Sequence, residues 1–346
     1  MLDQLWEVEI VLMFQNLGAW LDPIMLGASS FGYPLSYLTM VVIYWCVDSR
    51  LGRRFSLFLL FTGACGALLQ LAIGSPRPYW IDSRIRLIGG KSSSFGMPSG
   101  HALSSLTWLL IAQSFKRWWV WFLMGTIVVM IGLSRVYLGV HFASQVVVGW
   151  MLSFVLLVML YKFEEPISQW FQSKSFIMQL LYATVGLAAF LTMGWLASRS
   201  YVGHTLPSEW VDNAGRFLDS NDTFAPGIFE RILTDAGAFF GCFYGILLIA
   251  NHGGYDASGS VWARIGRLVF GIILASIILG GVFYIDGLLG LSDMEGGFGQ
   301  FWLFTSNFLI TIVFYYLIPF TFQRFRLAPR PSNFQSALVS SSSSAA

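Results

Sequence analysis

The chain has 346 residues, of which 56% are hydrophobic and only 11% charged, and its formal net charge is +2. Soluble domains carry about 25% charged residues, so this composition, with a mean hydropathy of +0.67, excludes an ordinary soluble protein, a disordered chain and a disulfide scaffold. It predicts an all-α, multi-pass membrane bundle, and the small net charge gives no support to nucleic acid as a partner.

The predicted elements begin with an amphipathic segment, residues 1–33, expected to lie in the membrane interface among lipids. About nine apolar runs of spanning length follow. They lie near 34–49, 55–74, 99–115, 118–134, 142–161, 176–196, 236–251, 265–285 and 301–321. We expect a catalytic core over 34–175, a C-terminal three-helix extension over 176–325 with a long loop at 197–235, and a disordered tail over 326–346.

Basic residues predict the orientation of these runs. Lys116 and Arg117, Lys162 and Arg264 all fall in loops on one side, which the positive-inside rule makes cytoplasmic. The N-terminus is then outside and the C-terminus inside, in an inner or plasma membrane. The loops at 75–98 and 135–141 lie on the outer face, periplasmic or lumenal.

Four polar elements fall on that outer face. They are Arg77-Pro78, Pro98-Ser99-Gly100-His101, Ser134-Arg135, and His141 with Gln145 one turn later. Two arginines and two histidines at helix ends make an anion site that can also do acid–base or nucleophilic chemistry. Proline followed by Ser-Gly at a helix start leaves backbone N–H groups free for a phosphate. His204 and His252 lie outside these elements and are expected to be surface residues.

These elements resemble the signature of the type 2 phosphatidic acid phosphatase (PAP2) superfamily, which reads Lys-x6-Arg-Pro, Pro-Ser-Gly-His and Ser-Arg-x5-His-x3-Asp. The resemblance covers roughly residues 55–160. It implies a phosphatase with His141 as nucleophile, His101 as general acid, and Arg77 and Arg135 on the phosphoryl oxygens. Pro98, Ser99, Gly100 and Ser134 would complete the phosphate cradle. No metal or cofactor is expected, and vanadate or phosphate should inhibit.

Two positions depart from that signature. Gln70 stands where the family has lysine, which removes a positive charge that Lys91 is one candidate to replace. Gln145 stands where the family has aspartate. Four residues after His141, it shares the face of that histidine, and its amide oxygen can accept the Nδ1–H, although it cannot stabilise an imidazolium as a carboxylate does. The His-x3-Gln spacing and the nine-span plan resemble the glucose-6-phosphatase branch.

The expected function is hydrolysis of phosphate esters at the outer face through a phosphohistidine. A phosphorylated lipid or lipid diphosphate is one substrate class, and a sugar phosphate is the alternative. A second reading is a catalytically impaired homologue that binds phosphate or lipid, for which Gln70 and Gln145 are the support. Vanadium haloperoxidases share the site chemistry but are soluble, so the predicted spans count against that reading.

Overall fold

The computed structural model describes residues 5–201, 203–217, 224–227, 229–292, 294 and 296–329. All regular structure in these ranges is helical, which confirms the all-α prediction. The helices are α1 Leu5–Gln15, α2 Asp22–Ser30, α3 Pro34–Val42, α4 Ser49–Ile73, α5 Pro78–Ile81, α6 Gly100–Ser105, α7 Leu109–Phe115, α8 Trp118–Tyr137, α9 Ala143–Gln172, α10 Phe176–Arg199, α11 Ser208–Gly215, α12 Glu230–Asn251, α13 Val261–Leu289, α14 Gly297–Ile312 and α15 Ile318–Arg324. The tail predicted to be disordered lies, from residue 330 onward, outside the described residues.

Within the described residues, eight helical stretches are long and apolar enough to cross a membrane. They are Ala19–Val47, Ser49–Ile81, Trp118–Tyr137, Ala143–Gln172, Phe176–Arg199, Glu230–Asn251, Val261–Leu289 and Gly297–Arg324. The predicted span without a counterpart among these eight, 99–115, forms α6 and α7 joined by a tighter turn. Because a spanning helix needs about 20 residues, this stretch is too short to count, and the nine-span plan is not confirmed. The four runs predicted after residue 175 are confirmed as stretches of spanning length, one more than the three helices expected of the extension.

The helices form two compact units whose membership alternates along the chain. The first, unit 1, comprises Met1–Tyr37, Phe58–Ser173 and Ala188–Ile232, and the second, unit 2, comprises Leu38–Leu57, Lys174–Leu187 and Leu233–Ala346. The predicted boundaries run in chain order and therefore differ from these units. The reason is that four of the five unit boundaries fall inside helices, in α3, α4, α10 and α12, so no loop in the sequence marks them.

Unit 1 is built around α6, α8 and α9. Helix α2 packs against α8, and α6 packs against both α8 and α9. A Cβ atom on Gly149 of α9 would lie 2.9 Å from the Ser99 carbonyl oxygen and 3.0 Å from Ala102 Cβ. The glycine is therefore what lets α6 approach α9 so closely. This contact brings the start of α6 beside the start of α9.

The N-terminal helix α1 is part of this core. Val8 and Val11 are fully buried in the cluster that also holds Trp80, Phe95 and Phe142. Helix α1 contacts α8 and α9, so one face of the predicted interfacial segment packs on protein. Its position relative to the membrane interface stays a prediction.

Unit 2 has an aromatic core of its own. The indole Nε1 of Trp45 donates to the Phe314 carbonyl at 2.9 Å, and the Tyr255 hydroxyl donates to the Trp45 carbonyl at 2.6 Å. A Cβ atom on Gly271 would lie 2.6 Å from the Trp45 ring, so this glycine makes room for the indole. The buried Trp45 and Tyr255 rings thus keep their polar atoms paired, as is usual for buried Trp and Tyr.

Candidate active site

Unit 1 contains a cavity of about 380 Å³. Six of the ten predicted site residues line it, and they come from all of the sequence elements named above. They are Gln70, Arg77, Gly100, His101, Arg135 and His141. The wall therefore combines two arginines and two histidines, as the outer-face pattern predicts, and none of the described lining residues is acidic.

Arg77 lies between α4 and α5, and three backbone carbonyls and the Ser94 hydroxyl hold its side chain. Its Nε donates to the Ser94 carbonyl at 2.6 Å, Nη1 to the Val140 carbonyl at 2.9 Å, and Nη2 to the Phe95 carbonyl at 3.1 Å. The side chain is 3% exposed. Because the guanidinium is planar with donors in a fixed fork, these contacts set its plane and aim Nη1 at His141.

His141 follows a short turn after α8, between the candidate spans. Its Nδ1 lies 2.9 Å from the Gly96 carbonyl and 3.1 Å from Gln145 Oε1, and its Nε2 lies 3.2 Å from Arg77 Nη1. A carbonyl can only accept, so Nδ1 carries the proton. The lone pair of the neutral ring is then on Nε2, where the Arg77 N–H is its donor.

The orientation of the Gln145 amide follows from its other partners. Nε2 of Gln145 donates to the Pro76 carbonyl at 2.7 Å and to Ser75 Oγ at 3.2 Å. Its Oε1 therefore faces His141 and also accepts the Phe142 backbone N–H at 3.2 Å. A Cβ atom on Gly96 would lie 2.6 Å from this amide, so the glycine is needed for the amide to reach its place.

Burial and neighbouring charge keep His141 neutral. Burial first, and then the guanidiniums of Arg77 and Arg135, hold the pKa of His141 well below its ordinary value, although the hydrogen bonds to Gln145 and Gly96 oppose this effect. A low pKa means that the unprotonated Nε2 persists through neutral pH. That is the form of imidazole that can act as a nucleophile.

His101 lies in the first turn of α6, against an aromatic side chain. The Tyr33 ring meets its imidazole edge-on, with centroids 4.5 Å apart. A Cβ atom on the preceding residue, Gly32, would lie 2.2 Å from His101 Cδ2. Arg135, in the last turn of α8, donates to the hydroxyl of Ser29 in α2. The α2–α3 segment therefore positions both His101 and Arg135.

Four predicted site residues do not line the cavity. The Ser134 hydroxyl donates to the Ile131 carbonyl in its own helix at 2.6 Å, so it is turned away from a substrate. Gln145 contacts His141 instead of the cavity. The Pro98 carbonyl accepts from Gln70 Nε2 at 2.8 Å. Ser99 is buried, and its hydroxyl has no hydrogen-bond partner among the described residues.

The sequence reasoning missed several residues of the wall. Tyr33, Ser92 and Arg231 also line the cavity, and none of them belongs to the family signature. Tyr33 precedes the first predicted run, and Arg231 lies about 90 residues after His141. No local pattern marks either of them, because their place at the cavity depends on the folding of unit 1. Lys91, the suggested replacement for the family's lysine, also lines the cavity but is exposed.

Two family models match separate parts of this chain. The sequence model of the PAP2 superfamily matches residues 52–169, and the model described as "PAP2 superfamily phosphatase, transmembrane extension" matches residues 233–330. The second match takes in α13, α14, α15 and most of α12, three of the four candidate spans after residue 175. No solved structure matches the chain.

Similar curated proteins are named as phosphatases of lipids. Phosphatidylglycerophosphatase B of Bacillus subtilis (strain 168) is 29% identical over 174 residues, covering 44% of this chain and 80% of the relative. Sphingosine-1-phosphate phosphatase 1 of Rattus norvegicus is 26% identical, covering 47% of this chain and 40% of the relative. Undecaprenyl-diphosphatase of Sulfolobus acidocaldarius is 26% identical, covering 40% of this chain and 68% of the relative. With both matched regions and the motif residues on one cavity wall, this chain belongs to the PAP2 superfamily, in its membrane-embedded branch with a transmembrane extension.

Proposed function

We propose that this protein is an integral membrane phosphatase that hydrolyses phosphorylated lipids through a phosphohistidine on His141. The observation that carries the proposal is the neutral His141 ring, whose Nδ1–H is held by two acceptors and whose Nε2 faces Arg77 at 3.2 Å. A nucleophile with its lone pair fixed beside a guanidinium suits attack on a phosphate group.

The reaction balances in two steps. Burial and the nearby arginines lower the pKa of His101, and the negative charge of a bound phosphate opposes this and favours its protonated form. In the first step, His141 Nε2 forms a bond to phosphorus as the bond from phosphorus to the ester oxygen breaks, and protonated His101 gives that oxygen its proton. In the second, His101 takes a proton from water, the water oxygen attacks phosphorus, and the bond to Nε2 breaks to release phosphate. Arg77 and Arg135 stabilise the negative charge on the phosphoryl oxygens throughout.

The outer face is the proposed side for this chemistry. Helix α8 carries Arg117 at its start and Arg135 in its last turn. At about 1.5 Å per residue, those ends are separated by roughly the thickness of the hydrocarbon core. Lys116 and Arg117 favour the cytoplasmic side by the positive-inside rule, so Arg135 and the cavity belong to the opposite side. Cysteines introduced at each end of α8 and labelled from one side of sealed vesicles test this orientation.

The lipid substrate class is supported by the relatives' names and by a cavity in a membrane-embedded unit. The test is phosphate release by the purified full chain in detergent, without added metal and with a chelator present. Phosphatidic acid, a polyprenyl diphosphate and glucose 6-phosphate are offered in parallel. We expect release from a lipid ester or diphosphate, its loss in His141→Ala, and its retention in the matched control His204→Ala, since His204 is exposed.

The outcomes separate the alternatives. Preference for glucose 6-phosphate would replace the lipid proposal with the sugar phosphatase reading. Release that persists in His141→Ala would overturn the phosphohistidine mechanism. Wild-type protein that binds vanadate but hydrolyses no ester in a broad panel would establish the impaired phosphate-binding homologue instead.

A further inference from the structure

Arg231 brings a third arginine to the cavity from outside both matched regions. It is the second residue of α12, lies after the segment 52–169 and before 233–330, and belongs to unit 1. Its side chain is half-buried and lines the cavity together with Arg77, His101 and His141. The family signature therefore does not account for this cation.

The contacts of Arg231 tie it directly to the arginine of the first motif. Its Nη1 donates to Ser94 Oγ at 2.7 Å, and Arg77 Nη2 donates to the same oxygen at 2.9 Å. One hydroxyl thus holds two guanidiniums side by side. The Nη2 of Arg231 would lie 3.6 Å from a Cβ atom on Gly100, so the side chain reaches from Arg77 to the first turn of α6.

Gln70 leaves the cavity without the positive charge that the family's lysine would supply. It lines the same cavity at the position where the family signature has lysine, but its amide donates to the Pro98 carbonyl and carries no charge. A phosphate monoester bears a charge near −2 at neutral pH. Two guanidiniums side by side, each able to bind oxygens through a fixed fork of donors, match that charge and geometry.

We propose that Arg231 is a substrate-binding residue that contacts the phosphate and supplies the positive charge that Gln70 lacks. The inference rests on the proposed function for its substrate, although the binding of an inorganic phosphate mimic tests it separately. It also gives the segment Ala188–Ile232 a part in the site that the superfamily match does not include. Lys91 is the weaker candidate for this charge because it is exposed, whereas Arg231 is half-buried.

The test compares charge removal with charge return. Arg231→Gln should lower kcat/KM by about 10- to 100-fold, the effect of losing one hydrogen bond to a charged group. It should also weaken inhibition by vanadate by a similar factor. Arg231→Lys should retain part of the activity. Gln70→Lys added to Arg231→Gln should recover about 10-fold, because it restores the cation from the position that the family uses. The matched control is Arg216→Gln, an exposed arginine of the same segment, which should stay within twofold of wild type.

Each outcome decides the proposal. Activity and vanadate inhibition of Arg231→Gln within twofold of wild type would overturn it. A loss in a folded Arg231→Gln protein that neither Arg231→Lys nor Gln70→Lys relieves would also overturn it, since Arg231 would then hold the Ser94 loop and not the substrate. If the wild type hydrolyses nothing, the proposed function fails, yet titration of vanadate into wild type and Arg231→Gln still tests this inference. Weaker binding by the variant would support it, and equal binding would overturn it.

Discussion

Gln145 Oε1 lies 3.1 Å from His141 Nδ1, four residues earlier in the chain, and accepts the Phe142 N–H as well. The amide thus orients the His141 ring, as the aspartate at this position of the family signature would. It fixes the tautomer of the histidine through an uncharged acceptor, while its own Nε2 is anchored to the Pro76 carbonyl. The departure from the signature therefore removes a charge and keeps the hydrogen bond.

Replacing Gln145 with leucine should lower kcat by about 10- to 100-fold and change KM little. In this variant the Pro76 carbonyl loses its donor from residue 145. The His141 Nδ1–H keeps the Gly96 carbonyl as its remaining acceptor. Lost buried hydrogen bonds cost about 1–3 kcal/mol each. Steady-state kinetics measure the split between kcat and KM. Gln172→Leu, at the exposed end of the same helix, is the control. A folded Gln145→Leu enzyme with the wild-type kcat would show that the amide has no orienting role.

Gly27 and Gly32, in and just after α2, allow a matched pair of alanine substitutions that tests the position of His101. In Gly32→Ala the new methyl group would overlap His101 Cδ2 at 2.2 Å, whereas a Cβ atom on Gly27 meets nothing within 4 Å. His101 is the general acid of the proposed mechanism, and displacing such a group by about 1 Å can cost on the order of 100-fold in rate. We therefore expect Gly32→Ala to lose at least tenfold in kcat, while Gly27→Ala stays near wild type. Equal activities of the two variants would mean that the position of His101 does not matter.

The sequence predicts those site residues that a local pattern marks, and it misses those that only tertiary folding brings to the cavity. Arg77, His101, Arg135 and His141 fall at helix ends, and the distribution of basic residues alone predicts that those ends share one side. The contact of Gln145 follows from helical spacing. Tyr33 and Arg231 reach the cavity only through the folding of unit 1, and hydropathy does not encode which helices are neighbours. The alternating units escaped prediction for the same reason.

The pH profile should report the lowered pKa of His141. In the proposed mechanism attack requires the neutral ring, so activity should be lost as the pH falls through that pKa. Burial and the two arginines hold it well below the ordinary value, and the acid limb of kcat/KM should therefore lie below about pH 6.5. In Gln145→Asp a carboxylate would face Nδ1, favour the imidazolium and move the limb to higher pH.

The substrate phosphate also titrates near pH 6, so the measurement is the difference between the wild-type and Gln145→Asp profiles with one substrate. The contribution of the substrate is the same in both profiles and cancels. Superimposable acid limbs would contradict the assignment of the limb to His141.

Glu7 connects the N-terminal helix to the helix that follows His141. Its carboxylate accepts the Ser144 backbone N–H at 2.9 Å and the Ser144 hydroxyl at 3.0 Å, and the side chain is buried. A carboxylate on the free N–H groups of a first turn stabilises a helix end by about 0.5–2 kcal/mol. Glu7→Ala should lower the free energy of unfolding by about that amount and also reduce kcat, because α9 begins two residues after His141.

The neighbouring acid provides the control for this contact. Glu9 pairs with Arg84 at 2.9 Å, but the two side chains are 66% and 57% exposed, and exposed pairs contribute about 0–1 kcal/mol. Glu9→Ala should therefore unfold near the wild-type temperature and keep its kcat. Unfolding followed by tryptophan fluorescence in detergent, with kinetics on the same samples, measures both effects. If Glu7→Ala and Glu9→Ala behaved alike, the cap would contribute nothing to α9. A selective loss in Glu7→Ala would instead mean that the α1 cap supports the helix start next to His141.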